Sequence, residues 1–478
     1  MNDKKTIRLA GALLMLASMP GLAFDPLFAE RSVPETPAAG IVASPQSCRF
    51  GPLGSPLILQ EAIARSLCHN PKTRVAWADV KSRAAAVGVA RAGFLPTISG
   101  DWQGVRDSSR TDVNDRPQLS SQSTATIHSE SLTLNWLLFD FGGRTAAVRN
   151  ASDLFAAARA TQDATLQDQF ATAAKDYGAA EAAQGALNVT IEIEHTTANS
   201  EMAAQARVDR GVAPISDALQ AQTQHEQAIS ERVKAEGDLQ AALGTLANDM
   251  GLDPDTPIVV PPITVTSMPG RDWDEPLTQL IDEVKRAHPT VRAAEAQFEA
   301  AEAKIAQTRA AGFPSVSLVA KYSRNNQPAS LGLGIPTFPA SGRDAFVGVQ
   351  VSIPIFEGFG RHYQIDQARA EAERQQGVLD GAREQVALDV WTAWHVLHTA
   401  TAGAAQSEKL LTIARRAFEA AQHRYLSGVG NILELLNTQA ALATAQQRRV
   451  QALADWKSAR LMLGARLGRL EMGSVEGP

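Results

Sequence analysis

The chain contains nearly the same nine residues twice. Residues 136–144 read WLLFDFGGR, and residues 353–361, 217 positions later, read IPIFEGFGR. Landmarks at this spacing are Arg144 and Arg361, Tyr177 and Trp394, Arg207 and Arg424, and Gly211-Val212 and Gly428-Val429. At a spacing of 218, Asn70-Pro71 and Pro96 match His288-Pro289 and Pro314. A constant spacing of this kind indicates an internal duplication, with repeat one at 57–252 and repeat two at 275–469.

Each repeat has the pattern of one helix, two strands and a hairpin of two long helices. Alanine, glutamine, glutamate and arginine dominate the long stretches, and a proline ends the first helix. The predicted helices are 57–92, 144–210 and 215–248 in repeat one, and 276–311, 361–427 and 431–467 in repeat two. The predicted strands are 97–107 and 125–139, then 315–324 and 344–356. A helix as long as 144–210 would extend roughly 100 Å, which is far more than a globular domain needs.

Two hydrophobic periods distinguish the strands from the helices. Alternating apolar residues in the strands are Leu132, Leu134, Trp136 and Leu138 in repeat one, and Val347, Val349, Val351 and Ile353 in repeat two. This alternation predicts one apolar and one wet face. In helix 361–427, apolar residues recur at alternating intervals of four and three positions, a pattern typical of a coiled coil. These residues are Val386, Val390, Ala393, Leu397, Ala400 and Ala404.

The duplicated phrase lies where the second strand of each repeat gives way to a long helix. Gly142 and Gly143 in repeat one, and Gly358 and Gly360 in repeat two, are predicted to permit the bend, because glycine adopts backbone angles that other residues avoid. Pro354 stands where the strand is ending, a position at which proline is tolerated.

The first residues have the pattern of a secretory signal peptide. MNDKKTIR is positively charged, LAGALLMLA is apolar, and Gly21-Leu22-Ala23 resembles a cleavage site. We expect removal of residues 1–23, with cleavage after Ala29 as the alternative, and no cysteine directly follows either site to carry a lipid anchor. An extended N-terminal segment at 24–56, a proline-rich connector at 253–274 and a tail at 470–478 complete the predicted organisation.

The two cysteines of the chain are Cys48 and Cys68. In an exported protein such a pair favours a disulfide, which would attach the N-terminal segment to the first helix. Two unrelated thiols are the alternative, and metal binding by two cysteines alone is weaker still.

Several observations argue against other classes of function. The net charge of −6 argues against a general nucleic-acid binder. His395 and His398 are three positions apart on a helix that also carries His362 and His423, but no third ligand has convincing spacing, so we expect no metal site. Gly332-Leu333-Gly334 lies between two strands and is predicted to be an external loop rather than a phosphate loop. Because no nucleophile has a recognisable context, we expect no catalytic residues and no cofactor.

Short amphipathic strands and a signal peptide together indicate a bacterial outer membrane. Two strand pairs can neither close a barrel nor make a stable lone sheet. Strands with an apolar outside and a polar inside suit a membrane β-barrel, in which all backbone groups must be paired. No run after the signal peptide is long and apolar enough for a transmembrane helix. We therefore expect several chains to contribute four strands each, with the long helices in an aqueous compartment.

The chain resembles the TolC family of outer-membrane channel-tunnels over about 57–469. The resemblance rests on the duplicated halves, Asn-Pro in the first helix, the FDFGGR and FEGFGR junctions and the hairpin tip RYLSGVGNILELLNTQ. It implies a mainly α-helical fold with membrane β-strands, built from duplicated helix–strand–strand–long-helix hairpin repeats. As a homotrimer, these would form a 12-stranded outer-membrane β-barrel and a periplasmic α-helical barrel, with most of the protein in the periplasm.

The resemblance also implies partners. The helix tips would dock to a periplasmic adaptor (membrane fusion) protein and an inner-membrane transporter, and the strands would contact outer-membrane lipid. The length, the Cys48 and Cys68 pair and the missing lipidation site resemble the type I protein-secretion branch most. We therefore expect an ABC-type transporter and an exported, toxin-like protein as cargo. A multidrug or metal-ion efflux factor and, from another class, a periplasmic coiled-coil adaptor are the alternatives.

Proteins of the family close the tunnel at the periplasmic tips by polar links between neighbouring helix pairs. The tyrosine and aspartate of one link correspond to Tyr425 and Asp217, which we predict to form a gate, unless they only cap and pack a hairpin. The family pattern also has an arginine two residues after the glycine of the second hairpin, where this chain has Gly430. Arg424 is the expected replacement.

Further site residues follow from the same resemblance. Glu434 matches the first of two acidic pore-constriction residues and Asn437 occupies the second position, so a ring of three carboxylates would favour cations, unless this is an ordinary solvated helix face. The candidate partner-docking residues at the tips are Gly211, Val212, Gly428, Val429, Leu433 and Leu436, unless these only shape and pack the turns. Trp391 and Trp394 are expected to pack between helices rather than to stack on a ligand.

Overall fold

A computed structural model describes residues 25–38, 48–263, 276–329 and 338–469. The predicted signal peptide at 1–23, the Gly332–Gly334 loop, the end of the connector and the C-terminal tail lie outside these residues. Repeat one contains α1 (Leu59–His69), α2 (Pro71–Ala92), β1 (Thr97–Thr111), β2 (Ser121–Phe139), α3 (Gly143–Asp209) and α4 (Ile215–Asp249). Repeat two contains α5 (Leu277–Ala287), α6 (Pro289–Ala310), β3 (Ser315–Asn325), β4 (Gly342–Ser352), α7 (Gly360–Leu426) and α8 (Ile432–Arg466).

The first predicted helix of each repeat is two helices in the structure. Asn70 separates α1 from α2 with ψ of 133°, and His288 separates α5 from α6 with ψ of 135°. Both residues precede a proline, whose ring pushes the preceding residue out of the helical region. The prediction of continuous helices at 57–92 and 276–311 is therefore wrong at the Asn-Pro and His-Pro steps.

The strands also differ from their predicted bounds. The first strand pair is longer than predicted and ends in a short 3-10 turn at Pro117–Leu119. Polar residues such as Ser108 and Thr124, which lie 3.3 Å apart between their hydroxyl oxygens, continue the pairing beyond the apolar alternation. The last strand stops at Ser352 instead of 356. Pro354 therefore follows the strand, in agreement with its missing backbone donor.

The chain divides into two compact units. The first comprises Lys81–Ser152 and Ala303–Asp366 with the N-terminal residues to Val33, and it contains one antiparallel sheet in the order β1-β2-β3-β4. The central pair, β2 with β3, joins repeat one to repeat two, with Leu134 opposite Ala320 and a bulge between Leu137 and Phe139. The outer strands of this sheet are β1 and β4.

Cross-strand partners lie on the same face, so the pairing shows which residues share each face of the sheet. The apolar rows are Ile98, Leu134, Ala320 and Val347, and then Trp136, Leu318 and Val349. A row on the other face is polar and consists of Asp101, Ser131, Ser323 and Asp344. Among the described residues nothing covers this apolar face, and Val347 and Val349 are 75% and 63% exposed.

The strand-to-helix bends use a phenylalanine together with a glycine. Phe141 and Gly142 have φ of 51° and 86°, and Gly358 and Phe359 have φ of 59° and 62°. Gly143 and Gly360 are instead the first residues of the long helices. The prediction that both glycines of each junction supply the bend is therefore wrong. A phenylalanine in this left-handed region costs about 1–2 kcal/mol. At the first junction, Phe141 makes aromatic contacts that offset part of this cost. Its ring centroid lies 4.8 Å from that of Phe139 and 5.2 Å from that of Phe313.

The second unit comprises Pro34–Val80, Asp153–Glu302 and Gln367–Pro478 and is helical. A disulfide joins Cys48 to Cys68 of α1, with 5.5 Å between their Cα atoms, beside a core that includes Ile63, Leu67 and Phe170. The described part of the connector, 253–263, has no helix or strand. Its Val259 carbonyl accepts the Leu57 N–H at 2.8 Å.

Polar side chains link the long helices of this unit. Between α3 and α4, Glu201 contacts His225 at 2.6 Å and Glu194 bonds to Arg232, one heptad further along. We call the interface between α3 and α8 the hairpin interface, because it joins the first long hairpin to the second. Its polar links include Glu181 with Lys457 at 2.7 Å, Glu192 with Gln446 at 3.1 Å, Ser200 with Gln439 at 3.0 Å, and Asp168 with Arg466 at 3.5 Å.

Candidate gate at the helical hairpin tips

The tips of the two long hairpins are built alike. Gly211 and Gly428 both have a positive φ, of 69° and 80°. One residue later, the N–H groups of Val212 and Val429 donate to carbonyl oxygens at the helix ends, at 3.0 and 3.1 Å. A glycine in this conformation ends a helix without the steric cost of a Cβ atom. The duplication therefore extends to the detailed geometry of the turns.

The tip residues fall into an exposed set and a buried set. Val212, Val429 and Leu433 are exposed, by 63%, 73% and 54%. Leu436 is buried, together with Ile432 and Leu435, in a core cluster at the tips. Leu436 therefore packs the tip of this chain, and its assignment as a docking residue stays a prediction.

Gly430 explains why the second turn lacks the arginine of the family pattern. A Cβ atom built on Gly430 would lie 2.9 Å from the nitrogen of Tyr425 and 3.0 Å from the carbonyl carbon of Arg424. Backbone atoms at this distance cannot move aside cheaply, so this tight turn accommodates only glycine.

Tyr425 is buried in the tip cluster and is only 2% exposed. Its ring packs with residues of several helices, among them Ala204, Ala221 and Phe418. The hydroxyl oxygen has no hydrogen-bond partner among the described residues. Burial raises the pKa of the Tyr425 phenol; the negative charge of Asp217 adds to this and the positive charge of Arg207 opposes it.

Asp217 lies half-buried in the first turn of α4. Its carboxylate accepts a long hydrogen bond of 3.4 Å from the hydroxyl of Ser216. The structure brings Asp217 close enough to Tyr425 to affect the phenol electrostatically, but it does not join the two by a hydrogen bond within the chain. The predicted polar link between these two side chains is therefore absent within the described part of the chain.

Arg207 provides a link that we did not predict from the sequence. Its Nη1 donates to the carbonyl oxygen of Tyr425 at 2.9 Å, and its guanidinium carbon lies 4.7 Å from the centroid of the Tyr425 ring. Arg207 lies in the last turn of α3, whereas Tyr425 lies in the last turn of α7. The available signal was the match of Arg207 with Arg424, each four residues before a turn glycine.

The predicted replacement arginine and the constriction residues lie together on the second hairpin. Arg424 forms an ion pair with Glu434, with 3.6 Å between the nearest nitrogen and oxygen. The Glu434 N–H donates to the side chain of Asn431 at 2.7 Å, which caps α8. Asn437 is exposed three residues later, so Glu434 and Asn437 share one side of the helix.

A groove of about 780 Å³ borders the tips between α3, α4 and α8. Ile193, Leu219, Gln222, Leu436 and Gln439 are among its lining residues. Its lining is mixed, with amide, hydroxyl and carboxylate side chains beside apolar ones.

The aromatic and histidine residues of α7 lie elsewhere on that helix. Trp394 packs beside a core cluster and stacks on His398, with ring centroids 5.5 Å apart. Trp391 is 49% exposed, and its ring centroid lies 4.3 Å from that of His395. Contrary to the expectation, Trp391 therefore does not pack in the core of this chain. Within the described residues, no group of three histidine, cysteine or carboxylate side chains is placed to hold a metal ion.

None of the helices that the structure describes combines the length and the hydrophobicity needed to cross a membrane.

Comparison with known proteins supplies independent findings. The family described as "Outer membrane efflux protein" matches residues 62–252 and 280–469, that is, both repeats. Protein CyaE of Bordetella pertussis is 33% identical over 457 residues, which are 96% of this chain and 92% of that protein. The outer membrane efflux protein BepC of Brucella suis is 24% identical over 403 residues, 83% of this chain and 82% of BepC.

The fold also resembles solved structures. The outer membrane protein VceC of Vibrio cholerae superimposes with a TM-score of 0.71 at 20% identity, covering 86% of this chain and 96% of VceC. At this level of identity the likeness concerns the fold alone.

Proposed function

The chain belongs to the outer membrane efflux protein family, and from that premise we propose that three copies form a channel from a transporter complex in the inner membrane to the cell exterior. As a member of this family it is an outer-membrane protein of secretion or efflux systems. The proposed channel is passive, with no catalytic activity and no cofactor. Its energy comes from the partner transporter.

The apolar face of the four-stranded sheet carries this proposal. That face is exposed in the chain, while a row of Asp101, Ser131, Ser323 and Asp344 makes the opposite face polar. An open sheet of four strands is too small to close on itself, and its outer strands need partners. Three copies with the outer strands β4 and β1 paired would give twelve strands, with the apolar face toward lipid and the polar face toward a water-filled lumen.

We propose that the long hairpins form the periplasmic part and that their tips contact an adaptor protein. The exposed Val212, Val429 and Leu433 and the groove between α3, α4 and α8 offer the surface for its helices. Arg424, Asp217 and Tyr425 belong to the proposed gate, and Glu434 lines the proposed constriction. Recruitment of the energised partner would stabilise an open arrangement and shift the population toward it.

Within the family, we propose type I secretion of a protein rather than efflux of small molecules. The support is the resemblance to that branch and the 33% identity to CyaE, against 24% to the efflux protein BepC. The transporter would then be of the ABC type. Multidrug or metal-ion efflux remains the competing proposal. The alternative of a periplasmic adaptor is excluded by membership of an outer-membrane family.

Planar-bilayer conductance of the purified protein tests the channel. We expect a trimer in detergent, a small native conductance, and a larger conductance for the double variant Asp217→Ala, Arg424→Ala. A monomer that stays in the soluble periplasmic fraction would overturn the proposal. Reconstituted trimers without conductance would also count against it.

Gene deletion separates the two cargo classes. Loss of a large protein from the culture medium, with unchanged sensitivity to drugs and metal ions, is expected for type I secretion. Increased sensitivity with unchanged secreted proteins would instead support efflux. Complementation with the intact gene controls for secondary effects.

A further inference from the structure

Arg207 connects the two long hairpins of one protomer at their tips. It lies in the last turn of α3, and its Nη1 donates to the carbonyl oxygen of Tyr425, in the last turn of α7, at 2.9 Å. The same guanidinium lies over the Tyr425 ring at 4.7 Å. One side chain thus contacts both the backbone and the ring of a residue 218 positions away.

The contact has a clear electrostatic basis. The last carbonyl groups of a helix carry a partial negative charge, and a cation placed there stabilises the helix end. A hydrogen bond from a charged guanidinium is stronger than one between neutral groups, and it is stronger still where water is excluded. Tyr425 is almost fully buried and Arg207 is half-buried, so the bond is charge-assisted and partly shielded from water.

The matching arginine of the second repeat does something different. Arg424 forms its ion pair with Glu434, which belongs to the same hairpin. The duplication thus gave the chain two arginines at equivalent positions, of which Arg207 bonds across to the other hairpin and Arg424 bonds within its own. Gly430, in turn, leaves no room for the arginine of the family pattern.

The phenol of Tyr425 does not take part in this link. Its hydroxyl oxygen is buried without a hydrogen-bond partner among the described residues. A phenylalanine at this position would keep the ring and the backbone carbonyl that Arg207 contacts. It would also remove the buried hydroxyl group, whose lack of a hydrogen-bond partner is unfavourable in itself.

We propose that Arg207 is a positioning residue of the gate, which holds the end of α7 against the end of α3 in the closed state. This inference rests on the proposed channel function. Any opening that separates the two hairpins at their tips has to break the bond between Arg207 and Tyr425. Arg207 thereby takes the part of the arginine that the tight turn at Gly430 excludes.

Bilayer conductance of four trimeric variants beside the native protein tests the proposal. The variants are Arg207→Ala, Arg207→Lys, Tyr425→Phe and, as a matched control, Arg210→Ala. Arg210 is an exposed arginine at the end of the same helix. We expect the open fraction of Arg207→Ala to rise about tenfold or more, the change that corresponds to about 1.4 kcal/mol. The lysine keeps the charge but not the planar stacking, so it should give a smaller rise.

Arg210→Ala should conduct like the native protein. Tyr425→Phe keeps the ring and the carbonyl that Arg207 contacts, so any rise in its open fraction should be smaller than that of Arg207→Ala. A native-like conductance of Arg207→Ala, with native conductance itself measurable, would overturn the role of Arg207 and leave the channel intact. A rise in Tyr425→Phe equal to that in Arg207→Ala would also overturn it, because the hydroxyl would then be the element that closes the gate. If no protein conducts, the channel function fails instead. Should Arg207→Ala not form trimers, the lysine variant against Arg210→Lys decides the question.

Discussion

Ser200 on α3 and Gln439 on α8 meet inside the hairpin interface, with 3.0 Å between Oγ of the serine and Oε1 of the glutamine. Both side chains are buried, and the Nε2 of Gln439 has no hydrogen-bond partner among the described residues. A buried amide in this situation depends on its few partners, because losing one leaves a polar group without water or protein to bind.

This pair gives the first prediction. Ser200→Ala removes a partner of the buried amide and should lower the free energy of unfolding by about 1–3 kcal/mol. The double variant Ser200→Ala, Gln439→Leu removes both polar groups and should cost less than the sum of the single changes. Denaturant unfolding in detergent measures the free energy of unfolding of Ser200→Ala, Gln439→Leu and the double variant. Additive losses would show that the two residues do not interact.

The second prediction concerns Asp249 at the end of α4. Burial raises the pKa of this carboxyl to about 7; a hydrogen bond with Asp176 and its charge act in the same direction, and Lys72 opposes them. The pKa in the unfolded chain is about 3.9. The folded state therefore binds more protons between about pH 4 and pH 7, so the contribution of this group to stability decreases as pH rises through that window.

Asp249→Asn should remove this part of the pH dependence. Melting temperatures measured from pH 4.5 to pH 8 should fall less steeply with rising pH in the variant than in the native protein. Asp255→Asn, at an exposed position nearby, is the matched control and should keep the native slope. An Asp249→Asn protein with the native slope would contradict the prediction.

The third prediction is that the disulfide stabilises the helical unit. The Cys48–Cys68 bond closes a loop with a sequence separation of 20 residues. In the chain-entropy model, a loop of this length contributes about 3 kcal/mol. Replacing both cysteines by serine should lower the free energy of unfolding by about that amount. Reducing agent should destabilise the native protein and leave the double variant unchanged, and equal sensitivity of the two would refute the idea.

The fourth prediction concerns ion selectivity and depends on the proposed trimer. Glu434→Gln removes one carboxylate per chain from the proposed constriction and should lower the preference for cations over anions. Asn437→Asp adds a carboxylate on the same side of α8 and should raise that preference. Reversal potentials in a salt gradient measure both effects. Unchanged potentials would place these residues on an ordinary solvated helix face.

The sequence by itself determined the architecture of this protein. The repeated phrase around residues 140 and 357 and the matched landmarks indicated the duplication, and the two hydrophobic periods separated strands from long helices. These signals are local, because a strand or helix follows from the spacing of side chains along a few turns. The resemblance to the TolC family is confirmed by the family match to both repeats and by the 0.71 TM-score to VceC.

Some local features escaped the prediction because they depend on packing. The left-handed Phe141 and Phe359 are unfavourable in isolation, so the sequence pointed to the neighbouring glycines instead. The helix breaks at Asn70 and His288 were marked by the following prolines, yet the helical patterns on both sides obscured them.

The tertiary structure alone decided which distant residues meet. It places β2 beside β3, buries Leu436 while exposing Trp391, and brings Arg207 to the carbonyl of Tyr425. Arg207 and Arg424 have equivalent positions in the repeats, so no local pattern could separate their roles. Their partners differ because the two hairpins pack against each other asymmetrically, and that packing depends on the whole helical unit rather than on either turn.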